Sequence, residues 1–195
     1  MKKEKTTQFL MKPKVDFCFK ELMEDEEVRN AFLAAVLGIN LEEIVESRIL
    51  PSHLRQKDKD DKLGILNFIM FDDEEYYCRF HFWSDKGRKL YSDKFEIHTL
   101  ELPKLAKHDY PETELLKWLQ FINAETEEEF EMAAEKSEYI KKAYEDLNRI
   151  SADEEKRLEY EERERAIRDH QYFSTVYKNT GLKEGRREGR QEGRQ

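Results

Sequence analysis

The chain has 195 residues, of which 41% are charged and 38% hydrophobic, and its formal net charge is −9. This length allows one sizeable core with a helical extension but leaves little room for two full domains. The acidic balance argues against a surface coated with phosphate-binding groups, although a local basic groove is compatible with it.

Helical patterns come first in the chain, after residues 1–12, which we expect to form a flexible leader. Pro13 suits the first turn of a short helix with an apolar face. Asp25 is a typical N-cap for a second helix, and Gly38 is a typical stop for it. Asn40 and Glu43 have the spacing of a capping box and predict one more short turn.

Three strands are predicted in the centre of the chain. Residues 63–71 are almost all apolar, which favours a strand buried on both faces. Residues 76–83 and 95–100 alternate between two faces, and Pro103 ends the last strand. Because tight turns are expected between them, the pattern predicts a small antiparallel meander.

Helices are predicted again after the sheet. Pro111 opens the first one, and Thr126 with Glu129 forms a capping box before the second. A capping box of Ser151 and Glu154 opens a further stretch that is nearly all charged, so we expect a helix that projects from the globule.

The tail repeats Glu-Gly-Arg with a period of four residues, at 184–186, 188–190 and 192–194. Each glycine inside a helix costs about 1 kcal/mol relative to alanine, which favours a disordered tail. The alternative is a helix induced by a partner, in which a glycine stripe permits close approach.

Two cysteines, Cys18 and Cys78, lack metal-type spacing, which is typical of a reducing compartment. The sequence has no apolar run of the length that a signal peptide or a membrane span needs. We therefore predict a cytoplasmic protein that does not associate with membranes.

Several segments in a fixed order carry a resemblance to a known family. They are DFCFK at 16–20, KLGIL at 62–66, ELPK at 101–104, LLKWLQF at 115–121 and the closing EGR repeats. Together, over about residues 13–195, they resemble the recombination-promoting nuclease family, which is also described as transposases of the PD-(D/E)XK nuclease type.

This resemblance implies a restriction-endonuclease-like core, DNA as the partner and Mg²⁺ as the cofactor. The implied chemistry needs an Asp and a Glu on adjacent strands to hold the metal ion at the scissile phosphate. The family's Asp usually follows the Gly-Ile-Leu segment, and a Glu-x-Gln strand comes later in the chain.

The sequence departs from this pattern at both places. Asn67 occupies the position expected for the Asp, and no Glu-x-Gln strand follows it. An internal deletion between the first strand and the segment at 68–75 would explain both differences. The candidate replacements are Asp16, for which capping or salt-bridging a helix is the alternative role, and Glu96 with His98. Glu96 and His98 share a strand face and suit either acid–base chemistry or a plain polar patch.

The predicted fold class is α+β: a truncated restriction-endonuclease-like core with a small, mostly antiparallel sheet flanked by helices, and a highly charged helical extension. We expect the core at 13–122, the helical region at 123–180 and the tail at 181–195. The function implied is a PD-(D/E)XK DNA endonuclease impaired by the missing motifs. The alternative is a non-catalytic remnant that binds a partner or itself, through an exposed sheet edge or its C-terminal helices.

Overall fold

The computed structural model describes residues 9–49, 62–92 and 96–192. Its helices are α1 (Asp16–Met23), α2 (Glu26–Leu37), α3 (Glu114–Asn123), α4 (Glu127–Ala134), α5 (Glu138–Ala152) and α6 (Glu154–Glu192), and its strands are β1 (Lys62–Leu66), β2 (Tyr77–His81) and β3 (Glu96–Glu101). Single 3-10 turns lie at Leu41–Glu43 and Leu102–Lys104. The predicted α+β class, with a restriction-endonuclease-like core and a helical extension, is confirmed.

The described strands form a mixed sheet in the order β1-β3-β2. β2 pairs antiparallel with β3, as predicted, but β1 pairs parallel with β3, so the predicted meander is wrong. The reason is that the chain passes from β1 to β2 at the far edge of the sheet, so that β3 takes the place beside β1. β3 runs opposite to β2 and in the same direction as β1. A parallel pair needs such an indirect connection, because only antiparallel neighbours can be joined by a short hairpin.

β1 also ends earlier than the apolar pattern predicts. Phe68, Ile69 and Met70 are 58%, 42% and 56% exposed, so the expectation of a doubly buried strand over residues 63–71 is wrong beyond Leu66. The backbone N–H groups of Met70 and Phe71 donate to a carboxylate oxygen of Glu101, at 2.6 and 3.4 Å. These hydrogen bonds satisfy the backbone without a neighbouring strand.

The core lies mainly between the helices and is built on a row of aromatic rings. Phe32 of α2 meets Trp118 of α3 edge-on, with ring centroids 5.7 Å apart. Phe121 then contacts Trp118 at 6.3 Å and Phe130 of α4 at 5.5 Å. Edge-to-face pairs of this kind add stability beyond the area that they bury. Trp118 is therefore a core residue, whereas Trp83 is 53% exposed.

Several predicted helix ends are confirmed. The Asp25 side chain accepts hydrogen bonds from the N–H groups of Glu27 and Val28 at 2.9 and 3.0 Å, and Gly38 ends α2 with a φ of +68°. Capping boxes are present at Asn40 and at Thr126. These ends depend on atoms three or four residues apart, so a local pattern is enough to identify them.

Three predicted helix starts are wrong. α1 begins at Asp16 with Val15 as its N-cap, so Pro13 precedes the helix rather than lying in its first turn. α3 begins at Glu114 with Thr113 as its N-cap, rather than at Pro111. Ser151 lies inside α5, and the side chain that caps the start of α6 is Asp153, which accepts from the Lys156 N–H at 3.0 Å. The Ser151 hydroxyl instead accepts the buried N–H of Met11 at 3.0 Å.

This contact attaches residues 9–12, the last part of the expected leader, to α5 and α6. Met11 is fully buried, and the Lys12 N–H donates to the Tyr160 hydroxyl at 3.2 Å. Burial raises the pKa of Tyr160 to about 12. Residues 1–8 of the expected leader lie outside the described residues.

α6 is helical through Glu192, so it includes most of the tail for which the sequence favours disorder. The domain boundaries stay a prediction.

We predict that Tyr160→Phe lowers the free energy of unfolding by about 1 kcal/mol at neutral pH, because the Lys12 N–H loses its acceptor. The raised pKa adds a pH dependence. Above the ordinary tyrosine pKa the unfolded state ionises first, so the wild type should lose stability relative to the variant as the pH rises from 10.0 to about 12.

Urea denaturation at several pH values measures both effects. Tyr172→Phe, at a side chain that is 66% exposed, is the matched control and should change stability little. Equal stability changes for the two variants at neutral pH would contradict the assigned role of the Tyr160 hydroxyl.

Candidate functional site

A polar cluster lies on one face of β2 and β3. In the antiparallel register His81 faces Glu96, and Arg79 faces His98. Because directly opposed residues share a face, and so do residues two apart on a strand, all four side chains stand on the same side of the sheet. Tyr77 lies on this face too, since it is two residues before Arg79. We call these five residues the histidine–glutamate cluster.

Glu96 is the centre of this cluster. Its two carboxylate oxygens lie 2.6 Å from His81 Nε2 and 3.3 Å from His98 Nε2. Arg79 is further away, with its guanidinium 3.9 Å from the carboxylate. The predicted neighbourhood of Glu96 and His98 is therefore present, and His81 joins them although the sequence interpretation did not include it. The cross-strand register, which sequence patterns rarely fix, brings it there.

His98 is held more tightly than His81. It is 2% exposed, and its Nδ1 lies 3.0 Å from the Tyr77 hydroxyl, with the two rings stacked at 6.0 Å. Burial raises the pKa of Tyr77, so this hydroxyl keeps its proton at neutral pH. If the hydroxyl donates to Nδ1, the neutral imidazole carries its proton on Nε2, facing Glu96. This arrangement orients a histidine for proton exchange with a carboxylate.

A groove of about 810 Å³ runs beside the cluster, between the end of α2, the start of α3 and β2. Tyr77 and Arg79 belong to both the groove wall and the cluster. Its remaining wall is largely apolar and includes Trp118 and Tyr139. A concave apolar surface with a few polar groups at one side is the usual form of a binding site.

A second charged cluster lies at the other end of β3. The Lys104 ammonium lies 2.6 Å from Asp73, 3.2 Å from Glu101 and 2.9 Å from the Glu75 carbonyl oxygen. Lys104 and Glu101 are each 1% exposed. We call Asp73, Glu101 and Lys104 the buried lysine cluster. In the sequence, Glu101 and Lys104 stand out only as part of the segment ELPK. Their spacing of three residues across a 3-10 turn is the signal that could have identified their pairing.

The charges of the buried lysine cluster stabilise one another. Burial opposes the charged state of Lys104, but hydrogen bonds to Asp73 and Glu101 outweigh it and raise the pKa of the lysine. The hydrogen bond from Lys104 holds the pKa of Asp73 below its ordinary value. Asp73 and Lys104 are thus expected to be ionised at neutral pH.

The other sequence candidates lie elsewhere. Asp16 is at the start of α1, which packs against α2, α5 and α6, and its carboxylate lies 3.5 Å from the Lys20 ammonium in the same helix. Asn67 is exposed and directly follows β1. Whether Asp16, Glu96 or His98 has a catalytic role stays a prediction.

The residues around Asn67 do not fit the magnesium ion that the family resemblance implies. An amide is a neutral ligand, whereas magnesium prefers carboxylates. In residues 9–49, 62–92 and 96–192, no group of three or more His, Cys, Asp or Glu side chains is placed to hold a metal ion. Nearby, Asp73 and Glu101 are already engaged by the Lys104 ammonium.

We predict that Lys104→Met lowers the melting temperature by several degrees, because Glu101 would keep a buried charge without its cation. The stabilising effect of Lys104 should be present above the ordinary Asp pKa and should decline as the pH falls through the lowered pKa of Asp73.

Thermal denaturation of wild type and variant between acid and neutral pH tests this role. Lys107→Met, three residues further along at an exposed position, removes the same charge and is the matched control. A Lys104→Met melting temperature equal to that of the control would contradict the structural role.

One family model matches the sequence of this chain. The family model described as PD-(D/E)XK nuclease family transposase matches residues 63–175, which cover the sheet, α3 to α5 and much of α6. No curated protein and no solved structure matches the chain. Among the described helices none is both long and apolar enough to cross a membrane. Because the match spans more than half of its residues, the chain belongs to the PD-(D/E)XK nuclease family transposases.

Proposed function

We propose that this family member is impaired in metal-dependent DNA cleavage. The observation that carries the proposal is Asn67, the exposed residue that follows β1. The family resemblance expects an aspartate at this position. An asparagine side chain offers one neutral oxygen, so it does not supply the negative charge that binds magnesium beside a phosphate.

The neighbouring acidic groups support the proposal. Glu101, on the strand beside β1, is buried and accepts hydrogen bonds from Lys104 and from the Met70 N–H. Asp73 is held by the same lysine. Recruiting either carboxylate to a metal ion would leave the buried ammonium without a partner, which is energetically costly.

We further propose that an internal deletion produced this state. β1 carries the segment KLGIL, and the apolar residues Phe68, Ile69 and Met70 that follow it are exposed to solvent. Loss of the strands and helix that stand between these two segments in relatives would uncover such residues. DNA as a partner is implied only by the family resemblance. We also propose that the protein is located in the cytoplasm.

An alternative cleavage site would use the histidine–glutamate cluster. Glu96 and two histidines beside a groove could exchange protons with a bound molecule. Glu96 and Glu101 are at opposite ends of a six-residue strand, about 17 Å apart, so the two clusters cannot act on one phosphate together.

A plasmid-nicking assay tests the proposal. Purified protein that circular dichroism shows to be folded should leave supercoiled DNA intact with either Mg²⁺ or Mn²⁺. Asn67→Asp should also be inactive, because one restored carboxylate does not complete a site that needs two. A restriction endonuclease in the same buffers is the positive control.

If the wild type cleaves DNA, three variants identify the site that is responsible. Cleavage by wild type that Asp16→Ala abolishes would overturn the proposal and place the site on α1. Cleavage that is lost in Glu96→Gln and His98→Ala would overturn it and assign the site to the histidine–glutamate cluster. Cleavage that all three variants retain indicates a contaminating nuclease, which a second purification must remove before the assay is repeated.

A further inference from the structure

The chain folds back on itself in a short ribbon between β2 and β3. Trp83 pairs with Leu90 in an isolated antiparallel bridge, and the Tyr91 N–H donates to the Phe82 carbonyl oxygen at 2.7 Å. The pairing of β2 with β3 ends immediately before this ribbon. We call residues 82–91 the aromatic hairpin.

Large side chains with apolar surface stand on both faces of the aromatic hairpin. Trp83 and Leu90 are directly opposed, so they share one face, and both are exposed. Tyr91 follows Leu90 on the same strand, so it stands on the other face, where it is 84% exposed. Exposed rings that are grouped in this way indicate a surface that another molecule contacts.

The turn of the hairpin is basic. Lys86, Arg88 and Lys89 are exposed and are accompanied by one acidic residue, Asp85, which gives a net charge of +2 in a chain of net charge −9. Within the described part of the chain none of these three cations forms a salt bridge, whereas Lys104 lies against two carboxylates. Arg88 has a φ of +45°, a conformation that favours glycine, so the shape of the turn does not account for an arginine there. Such a group of cations suits an anionic partner.

The arrangement of rings and cations identifies the class of partner. A single-stranded nucleic acid has phosphates for the basic turn and bases that stack on exposed rings. A flexible strand can bend around a ribbon and bring bases to both of its faces, whereas a duplex keeps its bases stacked on one another. An anionic membrane fits less well, because the charged residues form the tip of the hairpin and the rings stand behind it. Insertion of the rings would carry Lys86 and Arg88 into hydrocarbon, which is costly.

We propose that the aromatic hairpin binds single-stranded nucleic acid. One base stacks on Trp83, and Lys86, Arg88 and Lys89 hold the phosphates. Tyr91 is a second stacking surface on the opposite face. This is a binding site in which no bond is made or broken, so it does not depend on whether metal-dependent cleavage is impaired.

Fluorescence anisotropy of a short, fluorescein-labelled oligo(dT) tests the charge contacts. EDTA in the buffer keeps the result independent of that of the nicking assay. The wild type should bind, and Lys86→Ala with Lys89→Ala should weaken binding about ten-fold or more. The same double variant should lower the slope of log Kd against log salt concentration by about 1.4, since each phosphate contact on a single strand contributes about 0.7.

Lys107→Ala with Lys141→Ala is the matched control for the charge contacts. Both lysines are exposed and lie outside the hairpin, so the control removes the same charge and should change the affinity little. Absence of binding by the wild type, or equal weakening by the two double variants, would overturn the proposal.

The intrinsic fluorescence of the two tryptophans tests the stacking contact. Trp83 is exposed and Trp118 is 2% exposed, so quenching on addition of oligo(dT) should come from Trp83. Trp83→Leu should abolish the quenching and weaken binding about ten-fold, with an unchanged circular dichroism spectrum. Trp83→Phe keeps an aromatic face and should retain most of the affinity. Quenching that persists in Trp83→Leu, or an unchanged affinity of that variant, would overturn the stacking contact.

Three further ligands delimit the partner. Oligo(U) of the same length separates RNA from DNA: binding of either supports the proposal, and the tighter complex shows which of the two the hairpin prefers. A duplex bound as tightly as the single strand would overturn the proposed stacking. Sedimentation of the protein with vesicles that contain phosphatidylserine, combined with no binding of either oligonucleotide, would overturn the proposal and assign the hairpin to a membrane surface.

Discussion

The ammonium of Lys104 holds the sheet region together. It connects the end of β3, through Glu101, with the loop between β1 and β2, through Asp73 and the Glu75 carbonyl. The same Glu101 accepts the Met70 N–H. One buried cation and one buried carboxylate thereby fix a loop in which Phe68, Ile69 and Met70 are exposed. Such a pair adds little compared with an apolar core, but removing one member is costly, because the other stays buried.

The contacts of Lys104 also distinguish carboxylates that hold the structure together from those that could exchange protons with a bound molecule. At one end of β3 the carboxylate of Glu101 is committed to holding the loop. At the other end Glu96 has two histidines around it, of which His81 is partly exposed. The remaining potential for proton transfer is thus on the cluster beside the groove. The carboxylates that resemblance would place near Asn67 are absent from that position or are engaged by Lys104.

The success of the sequence predictions depends on the range of the interactions involved. Asp25, Gly38 and Thr126 were identified correctly because each acts on atoms within four residues. The end of β1 was not, since it is set by a carboxylate about 30 positions away in the chain. Ser151 shows the same limit: its spacing matches a capping box, but its hydroxyl binds Met11 from the other end of the chain. His81 was missed because only the register of β2 on β3 brings it to Glu96.

The position of the core is compatible with the proposed internal deletion. Four of its largest buried side chains, Phe32, Trp118, Phe121 and Phe130, belong to helices α2, α3 and α4. Each aromatic ring contacts the next, so the packing of these helices does not pass through β1. Loss of strands beside β1 would expose a sheet edge and a few apolar residues, at a cost far smaller than loss of the helical core. The requirement to fold is therefore met largely by α2, α3 and α4.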